Sequence, residues 1–142
     1  YILHCFNCLQ RQISRGITPF LNEKCPECGV PLKAAGPLWL GRLADRDFCE
    51  QMEKEATAGR MELDGQIRKI LFLIKRESTA PATYFVVDKI CDKLGLPSPP
   101  LEKVMERLSE EGFEVSATHF STRGIRTNAP AGIVVKSIKS LA

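Results

Sequence analysis

No stretch of the 142 residues approaches the roughly 20 consecutive apolar residues that a bilayer-spanning helix requires. No charged-then-apolar leader opens the chain. The expectation is a protein without a membrane partner, cytoplasmic or, in a eukaryote, nuclear. Internal repeats and low-complexity tracts are also missing. There is no Gly-x-Gly-x-x-Gly turn, no phosphate-cradling loop, and no serine, cysteine or lysine in a recognisable nucleophile motif. These absences leave the chain without a catalytic site of its own.

What is present has the balance of a globular protein, with 44% apolar and 26% charged residues. The net charge of +3 is spread unevenly: residues 1–43 carry +3, residues 44–112 carry −3, and residues 113–142 carry +3. A polyanion would therefore meet the two ends, although so small an excess equally suits a solvated surface. The first residue is Tyr1 rather than Met and already lies in an apolar run, so the expectation is a piece of a longer protein.

Cys5, Cys8, Cys25 and Cys28 repeat a Cys-x2-Cys hook across a gap of 16 residues. Two residues between cysteines let one tight turn aim both sulfurs at a point, and two such turns supply four thiolates in tetrahedral array. Zinc is the favoured ion, with metal–sulfur bonds of about 2.3 Å. Four protein donors fill the shell and leave no position for substrate, so the site is structural. Metal binding of roughly 10–16 kcal/mol would hold together a stretch with little core of its own. An iron–sulfur centre remains an alternative. Two disulfides would need an oxidising compartment, and a redox pair would need a βαβ setting. Cys49 and Cys91 fall on apolar helix stripes and read as core residues. His4 reads as a neighbour of the hook.

Extended segments are predicted over Tyr1 to Phe6, Gln12 to Thr18 and Pro37 to Leu40. A helix begins after Asp45, with Phe48, Cys49, Met52 and Ala56 on one face and Gly59 as its stop. Three more helices follow. Their stripes are Ile67, Ile70, Leu71 and Ile74 after the cap Asp64, then Val87, Ile90, Cys91 and Leu94 from Pro81 to Gly95. The last is Leu101, Val104, Met105 and Leu108, capped by Ser98, opened by Pro99 and stopped by Gly112. The period then drops to 2: Phe113, Val115 and Ala117 alternate with polar residues. A turn is predicted at Ser121 to Gly124, with a return strand at Ile125 to Thr127 and Arg123 and Arg126 at the hairpin tip. Ile133 to Leu141 suits helix or strand. The fold expected is α+β: a small four-Cys zinc ribbon with its following helix over residues 1–60, then a winged-helix-like module of three helices and a β-hairpin over residues 61–142. Its last helix would take the recognition position of a helix-turn-helix.

Three blocks together resemble one family. They are the cysteine quartet leading into Gly36-Pro37-Leu38-Trp39-Leu40-Gly41 and Leu43 to Phe48, then Ala80-Pro81-Ala82-Thr83-Tyr84. The third is Thr118-His119-Phe120 with Gly124 to Pro130. They are similar to the C-terminal part of the tRNA (guanine-26, N2)-dimethyltransferases. The resemblance implies an S-adenosylmethionine-binding methyltransferase domain of Rossmann type that precedes this chain, and a C-terminal part that helps hold tRNA. The family often carries Lys-Thr-Asp where Arg126-Thr127-Asn128 stand, so the cation is kept and the carboxylate lost. Arg11, Arg15, Arg123 and Arg126 would pair with phosphates, which positions RNA without reading it. His119, otherwise a satisfied buried histidine, and Thr127 join them on the resemblance. Lys103 and Arg107 share a helix face that also bears Glu106 and Glu110, so a solvated face is an equal reading. A DNA-binding regulator and a protein-interaction module are the rival functions.

Overall fold

The computed structural model describes residues 1–17, 23–58 and 65–142. The predicted strand end Thr18, helix stop Gly59 and cap Asp64 lie outside them. Among the described residues the chain is α+β, with two three-stranded antiparallel sheets and five helices.

The first sheet places β1 (Ile2–His4) between β2 (Arg11–Ile13) and β3 (Lys33–Ala35). The third strand falls earlier than predicted: Lys33–Ala35 pairs with β1, whereas Pro37 to Leu40 is irregular. Pro37 has no N–H to give a ladder, which favours the segment before it. Among the described residues, Leu3, Cys5, Cys25 and Leu32 form the core of this part.

Helix α1 (Arg46–Thr57) is capped as expected, the Phe48 N–H donating to Asp45 Oδ1 at 2.8 Å. It lies against α2 (Gly65–Glu77), and Lys75 Nζ bridges the pair, 2.8 Å from Glu53 and 3.6 Å from Glu50. The expected boundary near residue 60 thus falls between two helices that pack together. Their apolar stripes are half open: Cys49, Ala56 and Leu71 are buried, whereas Phe48, Met52, Ile67 and Ile70 are exposed.

The second sheet runs β4 (Phe85–Val86), β6 (Ser121–Thr127), β5 (Val115–Thr118). One face carries Phe85 and Ile125 into the main core. That core also takes Val87, Ile90 and Cys91 of α3 (Val87–Leu94), Val104 and Leu108 of α4 (Leu101–Glu110), and Val134 and Ile138 of α5 (Ala131–Lys139). The ambiguous last segment is therefore helix.

Several local expectations are corrected. The helix placed after Pro81 starts only at Val87, because Phe85 and Val86 pair with β6. Ser98 does not cap α4, which begins at Leu101; its hydroxyl instead donates to Asp88 and accepts from Arg123 Nη2. The hairpin turn is His119-Phe120, not Ser121 to Gly124. Gly124 sits inside β6 because a Cβ there would come 2.6 Å from the Thr118 methyl. The period of β5 holds, yet its polar side does not face water. Ser116 and Thr118 are buried with Arg126 beneath the end of α2.

Arg126 is therefore not at a tip. It is 1% exposed, with Nε 2.7 Å from Glu77 Oε2 and Nη1 donating to Pro81 O at 2.9 Å. Burial alone would raise the Glu77 pKa; hydrogen bonds from Thr118 and His119 and the Arg126 charge outweigh it and hold the carboxyl below its ordinary value. The unfolded chain then takes up this proton at a higher pH than the folded one. The stabilisation is full above the usual carboxylate range and drains away as pH falls through it. Glu77→Ala should cost about 3–5 kcal/mol, since it strands a buried cation. Pairing Glu77→Leu with Arg126→Met should recover most of that and flatten the acid limb below about pH 4. Urea unfolding at a series of pH values measures both effects.

Candidate metal centre and polyanion-facing surface

The two hooks are built alike. In the first, Leu9 N–H donates to Cys5 O at 2.9 Å and Cys5 N–H to Gln10 O at 2.9 Å. In the second, Gly29 N–H donates to Cys25 O and Cys25 N–H to Val30 O, both at 2.8 Å. Each turn needs a left-handed residue after its second cysteine: Gly29 at φ 72° and Leu9 at φ 67°. Glycine does this freely; leucine bears a cost of about 1–2 kcal/mol. Leu9 repays it by packing against the main core of the second sheet and its helices.

The hooks interleave. Cys5 Sγ is 3.4 Å from Cys28 Sγ, Cys8 Sγ is 3.4 Å from Cys25 Sγ, and all four lie within 4.8 Å of one another. A tetrahedron of bonds near 2.3 Å has sulfur–sulfur edges of roughly 3.8 Å, inside this range. A disulfide would need about 2.05 Å, and all six cysteines are free. Hydrogen bonding from the Asn7 side chain, then from the Val30 backbone, brings Cys28 down to about 6. Burial, reinforced by the adjoining thiols, pushes Cys8 up to about 12. Four sulfurs this close cannot all ionise unless a cation compensates them, so the group can hold a metal ion. Cys49 and Cys91 are buried in helices away from the quartet.

The predicted polyanion contacts fall into distinct environments. Arg15 and Lys103 are exposed. Arg107 is exposed but paired with Glu111 at 3.2 Å and Glu110 at 3.6 Å. Arg11 lies half-buried with its guanidinium 4.2 Å from the Phe85 ring centre. Arg123 joins β6 to α3 and the α3–α4 connection, binding Asp88 at 2.8 Å, Ser98 at 2.7 Å and Pro99 O at 2.7 Å. Ser98 and then Arg123 hold the Asp88 carboxyl below its ordinary value. Thr127 is buried, its hydroxyl accepting from Ala129 N–H at 3.1 Å. Arg123, Arg126 and Thr127 thus make contacts within the fold, and the hairpin tip expected to be basic is aromatic.

That tip is His119 and Phe120. Glu77 is a carboxylate, so His119 donates its Nδ1 proton to Oε1; the His119 backbone N–H donates to the same oxygen at 3.2 Å. Phe120 is 55% exposed, 4.0 Å from the His119 ring centre, and stacked on Tyr84 at 5.9 Å with 10° between planes. Neither Tyr84 nor Phe120 stands out by charge or periodicity; their place within the Ala80 to Tyr84 and Thr118 to Phe120 blocks was the available signal.

One metal ion per chain is expected in freshly prepared reduced protein. Cys25→Ser should lose it and, with it, hydrogen-exchange protection in residues 1–17, while α3, α4 and α5 keep theirs. Elemental analysis and exchange mass spectrometry check the two halves of this statement.

A family model described as N2,N2-dimethylguanosine tRNA methyltransferase matches residues 1–139. The chain is 38% identical over its full length to the tRNA (guanine(26)-N(2))-dimethyltransferase of Methanobrevibacter smithii, covering 37% of that protein. It is 36% identical over 99% of its length to the tRNA (guanine(26)-N(2)/guanine(27)-N(2))-dimethyltransferase of Aquifex aeolicus, covering 35% of it. Among solved structures, Trm1 from Pyrococcus horikoshii with S-adenosyl-L-methionine superposes with a TM-score of 0.75 at 26% identity, over 96% of this chain and 34% of that one. The chain thus spans little more than a third of the relatives it matches. A match over nearly all its residues and a fold shared with a solved member show that the chain belongs to the N2,N2-dimethylguanosine tRNA methyltransferase family.

Proposed function

We propose that this chain is the C-terminal, tRNA-holding part of an S-adenosylmethionine-dependent tRNA guanine-26 N2-dimethyltransferase, acting in the cytoplasm or nucleus. The observation that carries the reading is the family match over residues 1–139 in a chain without a nucleotide-binding loop or nucleophile motif. S-adenosylmethionine and the methyl transfer belong to a methyltransferase domain preceding it, the chain's second partner besides tRNA. What these residues contribute is position: holding a folded RNA so that one guanine reaches a site elsewhere.

Zinc suits the quartet because four thiolates at tetrahedral spacing match its ligand and geometry preferences. The closed donor set makes it a scaffold ion. The second module is read as winged-helix-like. Supporting this, α2, α3 and α4 precede the β5–β6 hairpin, and β4, between α2 and α3, completes the sheet. Its α4 carries Glu102, Glu106 and Glu110 among its exposed residues, which disfavours burying that face against phosphates. The RNA is assigned instead to the ribbon side, where Arg11 and Arg15 lie, with Lys103 as an outlying contact.

The test is a binding comparison with full-length protein. Folded tRNA should bind more tightly than duplex DNA, with affinity falling steeply as salt rises. Arg15→Glu should weaken tRNA binding several-fold without lowering thermal stability. Preference for duplex DNA would favour a regulator, and binding of neither would favour a protein-interaction module.

A further inference from the structure

We propose that Tyr84 and Phe120 form a stacking platform for one unpaired RNA base, and that Arg11 in the adjoining groove receives a neighbouring phosphate. This rests on the tRNA reading above and names the part of the nucleic acid that this surface takes.

Phe120 is the starting point. An apolar ring at a two-residue hairpin turn gains little by burial there, since more than half of it stays open to water. A ring placed only to cap the hairpin would be covered; this one stays more than half open and is braced by its neighbours. Tyr84 lies nearly parallel to it, and His119 presses on it at 4.0 Å. The Arg126 guanidinium stands 5.4 Å from its centre. The turn itself is fixed from below. Glu77 takes both the backbone N–H and the ring proton of His119, Arg126 holds Glu77, and the Phe120 N–H donates to the Thr118 hydroxyl at 3.3 Å. A ring so constrained loses little rotamer freedom when a flat partner covers it. Every nucleobase offers such a flat π-face, and single-stranded RNA is commonly held by exposed aromatic rings.

The groove beside Tyr84 supplies the second contact. Ile2, His4, Arg11, Ala82, Thr83 and Tyr84 line about 310 Å³ where the ribbon meets the second module. None of these residues is acidic. Arg11 Nη1 is buried there with no protein acceptor. Arg11 lines that groove, and a guanidinium on a groove wall without an acidic neighbour attracts an anion from outside. An RNA strand has what both features need, a base for the rings and a phosphate for the cation. An apolar protein surface would match the rings and leave Arg11 unpaired.

The test uses full-length protein and a tRNA transcript, with thermal unfolding recorded for every variant. Phe120→Ala and Phe120→Leu should each weaken binding by roughly tenfold, whereas Phe120→Trp should retain it, because stacking needs a π-face and not merely apolar volume. Arg11→Gln should weaken binding and lower the salt dependence by about one phosphate contact, which the Phe120 variants should leave unchanged. Ultraviolet crosslinking of the unaltered protein should put a nucleotide on the peptide holding Tyr84 or the one holding Phe120, a readout independent of whether variants fold. Equal binding by Phe120→Leu and wild type, or crosslinks only at other peptides, would overturn the platform while leaving the tRNA reading intact. Failure of the wild type to bind tRNA would remove both.

Discussion

The contact between Arg126 and Glu77 ties the end of α2 to the hairpin of the second sheet. Glu77 ends α2, Arg126 lies in the middle strand of the second sheet, and His119 begins the hairpin turn. Two opposite charges taken out of water tolerate little displacement, because each is costly without the other. The contact therefore contributes less through net stability than through register. It fixes which end of α2 sits over the sheet, and it aims the turn outward with its aromatic residues exposed. The second sheet is thus covered on both sides, by an apolar core on one and a buried polar layer on the other.

The cysteine quartet plays the corresponding part at the other end. Among the described residues its apolar core is four side chains, two of them cysteines, little to order the ribbon by burial. Order there comes from two backbone turns that aim sulfurs at a common point. The ribbon then reaches the second module through Leu9 in its core and Arg11 on Phe85, with the Lys93 ammonium donating to Phe6 O. The groove between the modules is a product of this docking and of neither module by itself.

How much of this the sequence discloses depends on the range over which each feature is determined. Local signals are legible. The Cys-x2-Cys spacing reports the sulfur cluster, Asp45 reports a helix start, and Gly95 and Gly112 report helix ends, at φ 64° and 84°. The apolar stripes of α3 and α4 report the core face. Illegible are the features that need a distant partner. Arg126 looks like any surface arginine until Glu77, 49 positions earlier, is brought beneath it. Ser98 looks like a cap until Asp88 and Arg123 claim its hydroxyl. Gly124 signals a turn in sequence and a steric vacancy in space. The family blocks run ahead of the physics here. They mark Tyr84, His119 and Phe120 as belonging together without saying that they touch.

Leu9 has a further consequence. It is a member of the first hook and, through its side chain, of the main core. An ion held by the hooks would therefore also steady the docking of the ribbon on the second module. Leu9 anchors the first hook on that module, so docking and ion binding would support one another while α3, α4 and α5 keep a core of their own. Loss of an ion from the hooks would then disturb not a single finger-like appendage but the alignment of two surfaces.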